Sequence, residues 1–264
     1  MPAEDVTITA TPISLDLTLY DGTHDPTNNE TINENYHYVA NVTISGRTLY
    51  KDGKWNTLCL PFNVEDFSGT IFEEATVKEL DINGEYEGHQ TGFDASDGTL
   101  YLYFKVATEI EAGKPYLVKW AGGEDITAPV FSSITINNTA PETITSHDET
   151  TSLLGNYDPV NLNAGDNTVL YLGTNNKLYY PSKARTINSF RAYFQLHGIV
   201  AGNPQSGQQS IQSFRHNLDD EATGVQEVQD FLSSKVPVPV KVIKNGRLYI
   251  GEYNIVGQRT ETKR

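Results

Sequence analysis

Along much of this chain apolar and polar residues alternate one by one, the period of a strand whose successive side chains face opposite sides of a sheet. In "TLYLYFKV" the alternation predicts a strand with Leu100, Leu102, Phe104 and Val106 inward and Tyr101, Tyr103 and Lys105 outward. "SFRAYFQL" repeats the device, with Phe190, Ala192, Phe194 and Leu196 inward and Arg191, Tyr193 and Gln195 outward. "ANVTIS" sets Ala40, Val42 and Ile44 against Asn41, Thr43 and Ser45, and "PYLVKW" sets Tyr116, Val118 and Trp120 against Leu117 and Lys119. "TVLYLG" is apolar throughout and predicts a strand covered on both sides.

Dipeptides that supply positive φ separate these runs, as tight hairpins require. They are Asp52-Gly53, Asn83-Gly84, Asp97-Gly98 and Asn245-Gly246, with Asn175-Asn176 in a longer turn. Many short strands with such turns predict an all-β fold, an antiparallel β-sandwich of jelly-roll or Ig-like kind, with a small C-terminal β-hairpin unit. "TGVQEVQDFLSS" is the one stretch near helical spacing, and a solvated linker explains it equally well, since "SKVPVPV" follows with two prolines. The polar stretch "DGTHDPTNNETINENYH" reads as a long loop after a first strand or strand pair.

"WNTLCLPF" holds one of the two tryptophans and the only cysteine. Trp55, Thr57, Cys59 and Pro61 alternate with Asn56, Leu58, Leu60 and Phe62, so both faces carry large apolar groups. A central strand is expected, ended by Pro61, with Trp55 and Cys59 in structural roles and the thiol packed rather than reactive.

The chain has 264 residues, enough to bury a core without covalent staples. Nineteen basic against 34 acidic residues give −15, which argues against a nucleic-acid partner. The charge is uneven: residues 235–264 carry seven Lys/Arg and two Asp/Glu, so 7 − 2 = +5, and the remainder carries −20. Three parts are expected: a main module over residues 1–222, a linker over 223–239, and a hairpin tail over 240–264. No segment approaches the roughly 20 apolar residues of a membrane helix, and the start lacks a signal-peptide pattern. Met1, the only methionine, leads straight into a strand-like pattern, as in a chain cut from a longer precursor.

Candidate chemistry is sparse. The six histidines show no metal-ligand spacing, and "DASDG" is a turn rather than a calcium loop. Adjacent carboxylates such as Glu73-Glu74 and Asp219-Asp220 point apart on a strand and read as solvated surface. No catalytic residue, metal or cofactor is expected. Aromatics are plentiful, 15 Tyr, 10 Phe and 2 Trp, so outward Tyr101, Tyr103 and Tyr193 are candidates for stacking on sugar rings or for a protein interface. Cross-strand aromatic pairing is the plainer account of them.

Four segments in order, "GRTLYKDGKWNTLCLPFNV", "IEAGKPYLVKW", "GNYDPVNLNAGDNTVLYLGTNNKLYYP" and "TINSFRAYFQL", resemble a module near the C-terminus of large secreted or surface-exposed proteins of Bacteroidetes-type bacteria. The resemblance spans roughly residues 36 to 197 and implies an extracellular or cell-surface location beside adhesive repeats. "VPVKVIKNGRLYIGEYNIVGQR" resembles the short sorting or anchoring tail of such proteins. Three functions follow as expectations. The first is a non-catalytic structural or adhesion module whose partners are neighbouring domains of a longer surface protein, or host or dietary glycans or proteins. The second is a carbohydrate-binding module using exposed Tyr and Trp. The third is an accessory or catalytic domain of a glycan hydrolase.

Overall fold

The computed structural model describes residues 15–173, 176–202, 204 and 207–218, together with the backbone of three strands between residues 241 and 254. The fold is all-β, a sandwich with one short helix among the described residues and no closed barrel. Its middle layer is a four-stranded antiparallel sheet ordered Asn56–Cys59, Pro115–Lys119, Thr76–Leu80, Phe104–Val106. That sheet is buried on both faces. Val77, Tyr116, Val118 and Leu58 face one core, while Leu80, Phe104 and Leu117 enter a second.

The first core is closed by a three-stranded sheet of Leu15–Tyr20, Val39–Ser45 and Val130–Thr135, which contributes Leu17, Leu19, Ala40, Val42, Ile44 and Phe131. The second core is closed by two sheets. One is five-stranded, ordered Thr143–Thr145, Thr151–Asn156, Arg191–Leu196, Val169–Leu172, Leu178–Tyr179; the other is Ser213–His216, Thr99–Leu102, Gly92–Asp94. Among the described residues most ladders are antiparallel, with three parallel pairs: Leu15–Tyr20 with Val39–Ser45, Thr99–Leu102 with Ser213–His216, and Ile199–Ala201 with Gln209–Ile211.

The alternation in "SFRAYFQL" and "ANVTIS" is realised: Phe190, Ala192, Phe194, Leu196, Ala40, Val42 and Ile44 are all buried. Elsewhere the pattern needs correction. "TLYLYFKV" is two strands, because the chain leaves the Thr99–Leu102 ladder at Tyr103 and joins the central sheet as Phe104–Val106, which leaves Val106 exposed instead of inward. "TVLYLG" is covered on both sides only at Val169 and Leu170; Tyr171 and Leu172 are half-buried. In "PYLVKW" Leu117 is buried along with its neighbours, because this strand, and not "WNTLCLPF", is the central one. Asn56–Cys59 stands at the end of its sheet, where the Cys59 amide donates to Phe190 O (3.2 Å) across to the next layer.

The loop expected before residue 38 contains a helix, Asn28–Glu34. Thr27 and Glu30 form a capping box: Thr27 Oγ1 accepts from Glu30 N (3.2 Å), and Glu30 Oε2 accepts from Thr27 N (2.8 Å). The buried Asn28 amide binds the helix to its surroundings, donating to Tyr20 O, Tyr157 O and Ser189 Oγ and accepting from Tyr20 N.

Chain contacts divide the molecule into Met1–Asp230 and Phe231–Arg264, a boundary inside the 223–239 linker. The helix candidate and the prolines of that linker lie outside the described residues. In the second unit Lys241–Lys244 and Arg247–Ile250 pair antiparallel about the 245–246 position, as the Asn-Gly signal demands, and Tyr253–Asn254 adds a third strand.

Trp55, Cys59 and Pro61 are all buried. Lys119 and Lys78 lie 4.7 and 5.5 Å from the Trp55 ring centroid, the carbonyl of Pro61 accepts from Asn137 N (2.8 Å), and Cys59 Sγ contacts Gly113 O at 3.1 Å. Burial pushes the Cys59 thiol far above its ordinary range. A Cβ built at Gly155 would stand 2.5 Å from the Cys59 sulfur, so the absence of a side chain there is a packing requirement.

Two outcomes are expected. Cys59 should remain unlabelled by aqueous thiol reagents until denaturant unfolds the chain. Gly155→Ala should cost about 1–3 kcal/mol in urea unfolding through overpacking. Cys59→Ala should recover part of that loss in the double variant, and strict additivity would show that the two sites do not touch.

Candidate functional site

Tyr101 and Tyr103 leave the core side of their chain segment as the alternation requires, yet they do not reach solvent, being 3% and 4% exposed. The covering element is a tight turn. Tyr86 and His89 pair through both backbone bonds (2.8 and 3.0 Å), with Glu87 and Gly88 at positive φ of 53° and 83° between them. This turn lays His89 on Tyr101 (ring centroids 4.0 Å apart, planes within 9°) and Tyr86 on Tyr103 (4.5 Å). Tyr101 Oη lies 3.3 Å from His89 Nε2 and 3.4 Å from Asp97 Oδ2, and Tyr103 Oη donates to Tyr86 O (3.3 Å). Burial first, then the neighbouring Tyr101 and Glu87, raises the Tyr103 phenol to about 12. The expected sugar-stacking plates are therefore interior pairs.

Tyr193 is half-buried. The short antiparallel pair Val160–Leu162 and Arg185–Ile187 supplies the apolar cover, and Tyr193 packs with Leu162, Val169 and Ile187. The tryptophans of the carbohydrate reading are also buried. The physical reason is common to all these residues: an alternating strand tells which face a side chain takes, while a distant segment decides whether that face is wet.

Beside Tyr101 opens a cleft of about 500 Å³ whose polar rim includes His89, Gln90, Asp94, His147 and Asp148. Its carboxylates hold the fold together. Asp148 accepts from Phe93 N (2.7 Å), Ser146 Oγ (2.5 Å), Thr150 N (3.1 Å) and Thr150 Oγ1 (2.8 Å), tying the 146–150 turn to the strand Gly92–Asp94. Asp94 Oδ1 accepts from Ser96 N (2.8 Å) in the turn expected of "DASDG". Burial opposes the charge of Asp148, but the hydrogen bonds outweigh it and hold the carboxyl below its ordinary value.

A second cleft, about 410 Å³, lies where the first sheet meets the segment after Phe62. Tyr36 and His37 stand on one side of it, and Asn63, Glu65 and Asn137 offer polar groups, over a floor that includes Val64 and Ile136. Tyr36 is 39% exposed and the neighbouring Tyr38 59%, so the accessible tyrosines are not those the alternation selects. The signal in the sequence is the cluster "NYHY" itself, at a junction where no alternation hides the rings. Among the described residues no group of three or more His, Cys, Asp or Glu is arranged to hold a metal ion.

Because the folded pKa of Asp148 is depressed, its stabilising contribution is complete above the ordinary carboxyl value of 3.8 and is lost as pH falls through the lower folded value. Urea midpoints should therefore fall between pH 5 and pH 2, limits set at about one unit or more around that carboxyl range. Asp148→Asn should lower the midpoint at pH 7 and flatten this acid limb; an unchanged slope would remove Asp148 from the account. Compared with protein-family models, with characterised proteins and with solved structures, the chain matches none.

Proposed function

We propose that this chain is a non-catalytic adhesion module of a secreted or surface-exposed bacterial protein, with residues 240–264 serving in sorting or attachment. The observation that carries the reading is what the carboxylates bond to: Asp148 is held by Phe93 N, Ser146 Oγ and Thr150 N, Asp94 by Ser96 N, and Glu79 by Lys105 and Lys114. Glu30, Asp52, Asp66, Glu79, Asp94 and Asp148 all move below their ordinary values. Glycoside cleavage needs the opposite, a carboxyl raised by burial so that it keeps a proton to donate. Here capping, turn and ion-pair bonds hold each charge in place: Glu79, for example, pairs with Lys105 (3.0 Å) and Lys114 across the edge of the central sheet. These groups act as scaffold. The resemblance of the four segments to a surface-protein module supports the location, and the separate three-stranded unit near the C-terminus supports a distinct task for the tail.

The test has two arms. Deleting residues 235–264 should shift the melting temperature of the main unit by less than about 2 °C, no more than the least that losing 1 kcal/mol of stability does to a domain of 150–250 residues, while surface display in the native host is lost. Purified full-length chain should release no product from glycans or peptides; turnover that disappears with a single carboxylate substitution would replace this reading with a hydrolase.

A further inference from the structure

We propose that the cleft beside Tyr36 is a binding site for a neutral pyranose oligosaccharide, an inference that rests on the adhesion reading and names its ligand class. The walls are fixed by backbone bonds. His37 N donates to Ile136 O and Ile136 N to Tyr38 O (both 3.0 Å), Asn137 N donates to Pro61 O (2.8 Å), and Val64 and Ile110 exchange both of theirs (2.8 and 2.9 Å). The site is thus formed before any ligand arrives, which lowers the cost of binding.

Its polar groups are set in complementary senses. Asn63 Oδ1 accepts from Ala112 N (2.8 Å), and Asn137 Oδ1 accepts from Thr139 N (2.9 Å) and Thr139 Oγ1 (2.7 Å). With both carbonyl ends engaged by the fold, the amide nitrogens remain as donors. Glu65 is exposed among the described residues, and its carboxylate is an acceptor at the cleft. Tyr36, with its ring centroid 3.5 Å from that of His37, offers an aromatic face, and Val64 and Ile136 supply the apolar floor. Fixed donors, one acceptor and an accessible ring are the groups that read hydroxyls and a C–H face together. A volume of about 410 Å³ suits one or two pyranose rings, within the usual range of roughly 300–1,000 Å³ for small-molecule sites.

Charge selects among sugars. The chain outside residues 235–264 carries −20, and Glu65 sits in the cleft itself, so uronates and sulfated sugars are repelled.

The experiment is an NMR titration of the full chain with neutral tetrasaccharides of glucose, mannose and galactose, alongside tetragalacturonate. At least one neutral tetrasaccharide should shift the amide resonances of Asn63, Glu65 and Asn137. Tyr36→Ala should weaken that binding about tenfold or more and Glu65→Gln severalfold, each with an unchanged melting temperature. Tyr50→Ala, an exposed tyrosine elsewhere, should leave it unaltered. The proposal is overturned if no neutral sugar shifts these resonances, if tetragalacturonate binds more tightly than every neutral sugar, or if Tyr36→Ala binds normally. Such results would leave the adhesion reading standing on its own display and turnover measurements, since none of them depends on this cleft.

Discussion

Burial of the four-stranded sheet on both faces is the constraint from which the rest of the main unit follows. A sheet wet on one side needs one apolar partner layer; this one needs two, and each must meet strand Pro115–Lys119, whose residues through Val118 are all buried. The three-stranded sheet is drawn to the side of Tyr116 and Val118, and the sheets carrying Leu100, Phe194 and Phe214 to the side of Leu117. The same burial forces an answer for Lys78, which stands on the second face at low exposure. Its ammonium donates to Asn217 O (2.9 Å) and Leu218 O (3.0 Å) and lies over Trp55, so a buried charge is compensated by the last described carbonyls of the main unit.

Outer faces are finished by a second set of elements, a tight turn and a short two-stranded ladder that lie over tyrosines. The 86–89 turn covers Tyr101 and Tyr103, and the pair formed by Val160–Leu162 and Arg185–Ile187 covers Tyr193. Stacking a histidine or tyrosine on such a ring adds aromatic contact to simple area burial, and it removes the ring from any ligand. A tyrosine-rich strand in this fold is therefore a strand with a lid.

The sequence disclosed the all-β class, the inward faces of Val39–Ser45 and Arg191–Leu196, the packed thiol and the C-terminal hairpin, because each depends on local period or turn chemistry. It misplaced what depends on remote segments. Nothing within "TLYLYFKV" says that the chain changes sheets at Tyr103, because beyond the local pairing with Gly92–Asp94 the strands that receive it, Ser213–His216 and Thr76–Leu80, lie outside that stretch and farther off in sequence. The helix Asn28–Glu34 was legible in principle, since Thr27-x-x-Glu30 is a capping box, but its seven residues bury only Asn28 and Ile32 and so give little helical period. The Tyr36 cleft showed only the cluster "NYHY" in the sequence, because its other two segments, around Asn63 and Asn137, are each unremarkable alone.

The position of that cleft is itself a consequence of register. Between Phe131 and Ile134 the edge strand advances three residues while its partner, from Val42 to Ala40, advances two. The extra residue makes a bulge, with Ser133 at φ 54°, and a bulge bends and twists the strand that bears it. The strand's free edge faces the segment from Val64 to Ile71, and the clefts that hold Ile134 and Val64 in common open along that edge. Farther on, Ile136 and Asn137 rejoin the backbone of Tyr38 and Pro61, which closes the gap at its end. An edge strand with unpaired backbone groups invites pairing with another chain, and a bulge is one of the ways sheets prevent it. Here the same irregularity that blunts the edge shapes a recess beside it, so protection from strand addition and the capacity to hold a small ligand have a single structural cause.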